Sequence, residues 1–220
     1  MALDSRSPMI DGLIFDMDGV IIDSEPMHLK AYIEAFGQVG VTFTSHDYAN
    51  YLGINDADIV RDVIFRTGCK VSDRLVLELK ESRFLKLMTG GAHPRPGLLD
   101  TLGAARGRGI RTAVASSAFL ETIQLVVESL GIAHLFHALT SGEEVERGKP
   151  APDIYLLAAS RIGVHPSRCL VIEDTLNGIR GALAAGMKVV SIPCEVTRLE
   201  DHSIAHLRLE SLSELSLDGW

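Results

Sequence analysis

The stretch Gly12-Leu13-Ile14-Phe15-Asp16-Met17-Asp18-Gly19-Val20 decides how the rest of the chain is read. Apolar residues lead into two carboxylates two positions apart, the pattern of a strand buried on both faces that delivers acidic groups at its carboxyl end. Gly19 permits a sharp turn directly after them. The same design recurs at residues 110–117, 137–141, 169–174 and 188–193, each a short apolar run ending in polar or turn residues. Between these runs, residues 96–108, 120–130, 152–162 and 177–185 carry apolar side chains at three- and four-residue spacing, with Pro152 suited to a first helical turn. Strands alternating with helices predict an α/β fold built on a doubly wound parallel sheet, in which ligands bind at the carboxyl ends of the strands.

Residues 24–94 break that alternation. They read as amphipathic helices around 27–36, 57–67 and 73–88 without a convincing strand. The expected organisation is a core of residues 1–23 and 95–220 with an inserted helical cap at 24–94. Its hinges fall at 23–26 and 90–96, where Gly90, Gly91, Pro94 and Pro96 punctuate the chain.

Composition narrows the function classes. The chain has 220 residues, 46% hydrophobic and 23% charged, which is globular in character, and its net charge of -8 argues against nucleic acid or an anionic membrane as partner. An enzyme for anionic substrates would then have to create positive potential locally, as a bound metal does. No apolar run has the length of a membrane span, and Met1-Ala2-Leu3-Asp4-Ser5-Arg6 lacks the build of a secretory signal, so a cytoplasmic location is expected. Cys69, Cys169 and Cys194 form no Cys-x-x-Cys pair and are expected to be reduced thiols.

Asp16-Met17-Asp18-Gly19-Val20 after an apolar strand resembles the first motif of the haloacid dehalogenase-like hydrolases. Asp23-Ser24-Glu25-Pro26 continues it as in the subgroup with a helical cap between the first two motifs. Ser116, Lys149 within Gly148-Lys149-Pro150-Ala151-Pro152-Asp153, and Glu173-Asp174 before Thr175-Leu176-Asn177-Gly178 are similar to the remaining motifs, in the same order. The resemblance runs from Gly12 to Pro193. It implies an Mg²⁺-dependent phosphatase that forms an aspartyl-phosphate, with Asp16 as nucleophile and Asp18 as acid/base. It further implies Asp16, Asp174 and the Asp18 backbone carbonyl as Mg²⁺ ligands, Lys149 as a point charge, and Ser116, Ser117 and nearby N–H groups as donors to phosphoryl oxygens. Glu173 keeps three readings: a direct ligand, a ligand through water, or a hydrogen-bond acceptor behind the ligands. Singly, each motif has a bland reading too, as a solvated turn, a helix cap or an exposed loop lysine. Their joint order favours chemistry.

The cap is less telling. His28 matches a histidine of the resembling β-phosphoglucomutases but also suits a solvated helix face, and Lys80 is either a substrate contact or an exposed helix lysine. Gly53, between Leu52 and Ile54-Asn55-Asp56, resembles the loop that selects substrates and also reads as a plain turn. The expected substrate is a small phosphorylated metabolite, a sugar phosphate above all, with no nucleic-acid or membrane partner, and a monomer is compatible with the sequence. A β-phosphoglucomutase-like phosphotransferase is the chief rival. Those mutases hold a second phosphate with basic residues where this chain has Leu52 and Asp56, and repulsion by Asp56 would favour hydrolysis. A catalytically silent binding module is the third reading, disfavoured by the presence of Asp16, Asp18, Lys149 and Asp174.

Overall fold

The computed structural model describes residues 10–51, 54, 56–91 and 93–220. The chain divides into two compact units, one formed by the residues up to Asp23 and from His93 onward, the other by the segment between. The first unit opens with β1 (Gly12–Phe15), whose four residues are all buried.

In the second unit the chain forms α1 (Glu25–Gln38), α2 (Ser45–Tyr48), α3 (Asp56–Thr67) and α4 (Asp73–Gly91). Pro26 in the first turn of α1 starts that helix without costing a backbone hydrogen bond. Ala31, Tyr32, Ala35 and Phe36 then form its buried stripe, and the last three share a cluster with Phe43, Ile59, Val60, Val63 and Val76. The short α2 was not expected from apolar spacing. It starts from a capping box, in which Thr44 Oγ1 accepts the Asp47 N–H and the Asp47 carboxylate accepts the Thr44 N–H.

On its return the chain adds α5 (Leu98–Gly107), β2 (Arg111–Ser116), α6 (Leu120–Ser129), β3 (Ala138–Ser141), α7 (Asp153–Arg161), β4 (Cys169–Glu173), α8 (Leu176–Ala184), β5 (Lys188–Ser191) and β6 (Leu207–Arg208). The strands make one parallel sheet in the order β3-β2-β1-β4-β5-β6. Chain order reverses beside β1, which creates the switch point where such sheets leave a crevice at their carboxyl ends. Ile14, Ala113, Val171 and Val189 of the sheet are buried with Ile154, Tyr155 and Ala158 of α7 and Ile179 and Ala182 of α8. Each large apolar side chain so buried contributes about 1.5–3 kcal/mol. His93 and Pro94, assigned above to the cap, belong to this unit. Ile22 bridges to Pro94, and the Arg95 N–H donates to the Ile21 carbonyl at 2.8 Å.

Beyond β3, the Glu144 carboxylate accepts both Arg161 guanidinium nitrogens, at 2.6 and 2.8 Å, and the Ser141 N–H at 2.9 Å. The Arg161 hydrogen bonds and then the Ser141 N–H hold its pKa at about 2, below the ordinary 4.5, against a small opposing effect of burial. A depressed folded-state pKa stabilises the protein above the unfolded value, and that contribution is lost as pH falls through the folded one. Glu144→Gln is therefore expected to lower Tm by about 2–4 °C at pH 7, the equivalent of about 1 kcal/mol. The difference from wild type should close as pH falls from about 5 toward 2. Thermal melts across that range check it, and a gap that stays constant with pH would discount the pair.

Candidate active site

Beyond Phe15 the backbone is still held by the sheet, for the Asp16 N–H donates to the Ile172 carbonyl of β4 at 3.0 Å. The chain then turns back on itself: the Ile21 and Ile22 N–H groups both reach the Met17 carbonyl, at 2.8 and 3.2 Å. Gly19 makes this turn at a φ of +78°, and a Cβ there would run into the Asp174 carboxylate, so both backbone and space demand glycine. The register Phe15–Ile172 sets Asp16 beside the end of β4, and Phe15–Val114 sets Ser116 level with the loop bearing Asp16 and Asp18. Three strand ends thus converge, as the alternation of the sequence implies.

At the centre lies Lys149. Its Nζ donates to Asp16 Oδ1 at 2.5 Å and to Glu173 Oε1 at 2.6 Å, and it sits 5.2 Å from the centroid of the Tyr155 ring. Glu173, fully buried, also accepts the Tyr155 hydroxyl on Oε1 at 2.7 Å, while its Oε2 accepts the Asp174 and Thr175 N–H groups, both at 2.8 Å, and the Thr175 hydroxyl at 3.0 Å. Five donors fill the lone pairs of this carboxylate. Gly178 leaves room for it, since a Cβ at that first turn of α8 would overlap the Glu173 carboxyl group.

Asp174 is held differently. Its Oδ2 accepts the Thr197 hydroxyl at 3.4 Å, whereas its buried Oδ1 has no hydrogen-bond partner. Oxygens of Asp16, Glu173 and Asp174 lie within 4.8 Å of one another. Burial pushes the Asp16 pKa up to about 7, with Lys149 opposing and the charges of Glu173 and Asp18 adding to it. Burial, then Glu173 and Asp16, raise Asp174 well above the carboxylate range. Lys149 is held well above its ordinary value, because Asp16 and Glu173 outweigh the burial that disfavours its charge. Glu173 is held low, because the charge and hydrogen bond of Lys149 together with the donors around it overcome burial.

Three buried carboxylates thus lie together, two of them bonded to one ammonium, and Oδ1 of the third, Asp174, has no hydrogen-bond partner. A hard divalent cation fits this centre: the donors are all oxygen, the charge deficit is of the right sign, and Asp174 Oδ1 lacks a partner. Glu173 lies close enough to join the ligands, but its lone pairs are committed, which leaves Asp16 and Asp174 with the capacity to ligate.

Asp18 lies half-buried on the same loop, two residues past Asp16. Ser116 ends β2 fully buried, and its Oγ accepts the Ala118 N–H at 3.1 Å, so its own proton stays available to an anion. Ser117 is exposed just after it. In the second unit His28 neither stands alone nor faces only water: its ring stacks on Phe84 at 4.1 Å. Lys80 departs from its reading as an exposed helix lysine. It is 1% exposed and donates to Asp56 Oδ2 at 2.5 Å, between the rings of Tyr32 and Phe84. Asp56 also accepts the Tyr32 hydroxyl at 2.7 Å, and the charge of Lys80 holds its pKa low against burial. The repulsion expected of Asp56 toward a second phosphate is accordingly offset by Lys80. Gly53 and Leu52 lie outside the described residues.

Tyr155, Thr175 and Thr197 belong to the centre and were not singled out from sequence. Thr175 was within reach as the residue capping the predicted helix after Asp174, and in the structure its Oγ1 accepts the Gly178 N–H at 3.0 Å. Tyr155 occupies an apolar-spaced position and reads only as core. No local signal marks Thr197.

A parallel sheet with an acidic, lysine-centred cluster at its switch point defines an enzyme that handles anionic substrates with carboxylates and a cation. The family model for haloacid dehalogenase-like hydrolases matches residues 10–186, and the chain belongs to that family. Within it the chain is a phosphatase. It is 33% identical over 181 residues to the fructose-1-phosphate phosphatase YqaB of Escherichia coli, covering 82% of this chain and 95% of that one. Two crystal structures of CbbY from Rhodobacter sphaeroides superpose with TM-scores of 0.84 and 0.83 at 30% and 29% identity, each covering 94% of this chain and 97% of the other. One holds phosphate and the other, a mutant, holds xylulose-(1,5)bisphosphate. Among the described residues no helix is long and apolar enough to cross a membrane.

Proposed function

We propose that the chain hydrolyses a small phosphorylated sugar with Mg²⁺ through a covalent phosphoryl group on Asp16. The observation that carries this reading is a buried Asp174, its Oδ1 without a hydrogen-bond partner, clustered with an Asp16 that Lys149 already holds by one oxygen. Asp16 Oδ1 is fixed by Lys149, and Oδ2 attacks phosphorus as the bond to the leaving sugar oxygen breaks. Asp18 gives that oxygen a proton. As carboxylate it then takes a proton from the water that attacks the aspartyl-phosphate, which releases phosphate and restores Asp16. The Ser116 hydroxyl, Ser117 and the loop N–H groups after β2 donate to the phosphoryl oxygens, and Lys149 supplies a fixed positive charge. Mg²⁺ held by Asp16, Asp174 and the Asp18 carbonyl would neutralise the substrate dianion against the attacking carboxylate. A sugar as leaving group is supported by the fructose-1-phosphate phosphatase relative and by the xylulose bisphosphate seen in the CbbY neighbour.

Phosphate release from hexose and pentose monophosphates and ketose bisphosphates with Mg²⁺ tests the reading. EDTA should silence the enzyme and Mg²⁺ should restore it. Activity that survives exhaustive chelation would remove the metal from the scheme. In a parallel assay, β-glucose 1-phosphate with a trace of the 1,6-bisphosphate should yield free phosphate faster than glucose 6-phosphate; the reverse ratio would make the chain a mutase.

A further inference from the structure

The segment after β5 crosses back over the turn between β4 and α8 and is fastened at both ends. Thr197 and His202, 5% and 4% exposed, are buried polar residues that the proposed reaction does not use. Thr197 Oγ1 accepts the Cys194 N–H at 3.0 Å and donates to Asp174 Oδ2 at 3.4 Å. The Thr197 carbonyl accepts the Glu200 N–H at 2.9 Å and His202 Nε2 at 2.7 Å. A carbonyl only accepts, so Nε2 carries the proton, and in the neutral ring Nδ1 accepts the Ser191 hydroxyl of β5 at 2.7 Å. At the far side, Glu200 Oε2 accepts the Leu176 N–H in the first turn of α8 at 2.5 Å. Through the Thr197 hydroxyl these bonds reach one oxygen of Asp174, Oδ2, and Oδ1 has no hydrogen-bond partner.

We infer that Thr197, held in place by His202, is a positioning residue that orients Asp174 for the metal. The inference rests on the proposed Mg²⁺ site. A carboxylate free to rotate would present either oxygen, or turn toward the Cys194 side of its pocket, and binding a cation would first have to order it. Hydrogen-bond partners standing behind metal ligands change metal affinity by about 10–100-fold when removed. Thr197→Val keeps the shape of the side chain and deletes the hydroxyl, both as donor to Asp174 and as acceptor of the Cys194 N–H. Thr197→Ser keeps the donor, and His202→Ala releases the Thr197 carbonyl.

Mg²⁺ binding to the wild type and the three variants is measured by titration calorimetry in the absence of substrate, beside Tm and the Mg²⁺ dependence of phosphate release. Thr197→Val is expected to weaken Mg²⁺ binding about tenfold, with lost activity recovered at higher Mg²⁺. His202→Ala should follow in the same direction, and Thr197→Ser should bind nearly as wild type. Loss of Tm alone, with Mg²⁺ affinity unchanged in folded Thr197→Val, would reduce the contact to packing and overturn the inference. A wild type that binds no Mg²⁺ would overturn the metal site and the inference together, so the two failures are distinguishable.

Discussion

Asp16→Asn is expected to reduce phosphate release by on the order of 10⁴-fold or more, because a neutral amide does not attack phosphorus and a removed nucleophile leaves only binding and charge stabilisation. The same substitution should make the metal-free protein more stable at pH 8. Asp16 has its pKa raised from 3.8 to about 7 by burial, so in the folded state its charged form is the unfavourable one. The sign follows from linkage: the burden is absent below 3.8, grows as pH rises, and is complete above about 7. Asn carries no such burden. In EDTA the variant should therefore melt several degrees above wild type at pH 8, and the advantage should vanish as pH falls toward 4. Phosphate release and thermal melts on one preparation check both halves. Retained turnover would dismiss Asp16 as nucleophile, and a lower Tm at pH 8 would show that its charge is stabilising.

Lys149→Met is expected to act in the opposite direction on stability while also reducing turnover, by about 10²–10³-fold. The ammonium is hydrogen-bonded to both Asp16 and Glu173, and its removal leaves these buried carboxylates without that compensation. Removing one partner of a buried ion pair costs about 3–5 kcal/mol, and protonation of Asp16 would relieve part of it. A Tm lowered by about 10 °C at pH 8, smaller at pH 6, is the expected result for a chain of this size. Added Mg²⁺ should recover part of the loss in Tm. A variant as stable as wild type at pH 8 would mean that the carboxylates do not depend on Lys149.

What was legible in the sequence was what local pattern determines. Gly12 to Phe15 are apolar on both faces, and the strand they form places Asp16 at its end. The helices after residues 96, 120, 152 and 177 lie within two residues of their expected starts, because each repeats apolar side chains on one face and ends near glycine. β6 was not legible: Leu207 and Arg208 are exposed and follow no apolar run, so only pairing with β5 makes them a strand. Contacts between residues distant in sequence were also hidden. Asp56 read as a free charge because Lys80 and Tyr32 each stand 24 positions away, and neither spacing marks a pair. Lys149 and Asp16 are 133 positions apart, and only the order of motifs in a resembling family brought them together.

The saturation of Glu173 has a consequence for the timing of catalysis. Backbone N–H groups at residues 174 and 175, the Tyr155 hydroxyl and Lys149 all converge on this carboxylate in the folded chain. Lys149 is thereby aimed at Asp16 before any substrate arrives, and few dipoles need to turn when charge moves onto the transferring oxygens. The reorganisation energy of the reaction is thus kept small by the folding of the β4–α8 turn, and a substitution that loosens this turn should slow chemistry at temperatures well below those at which the protein melts.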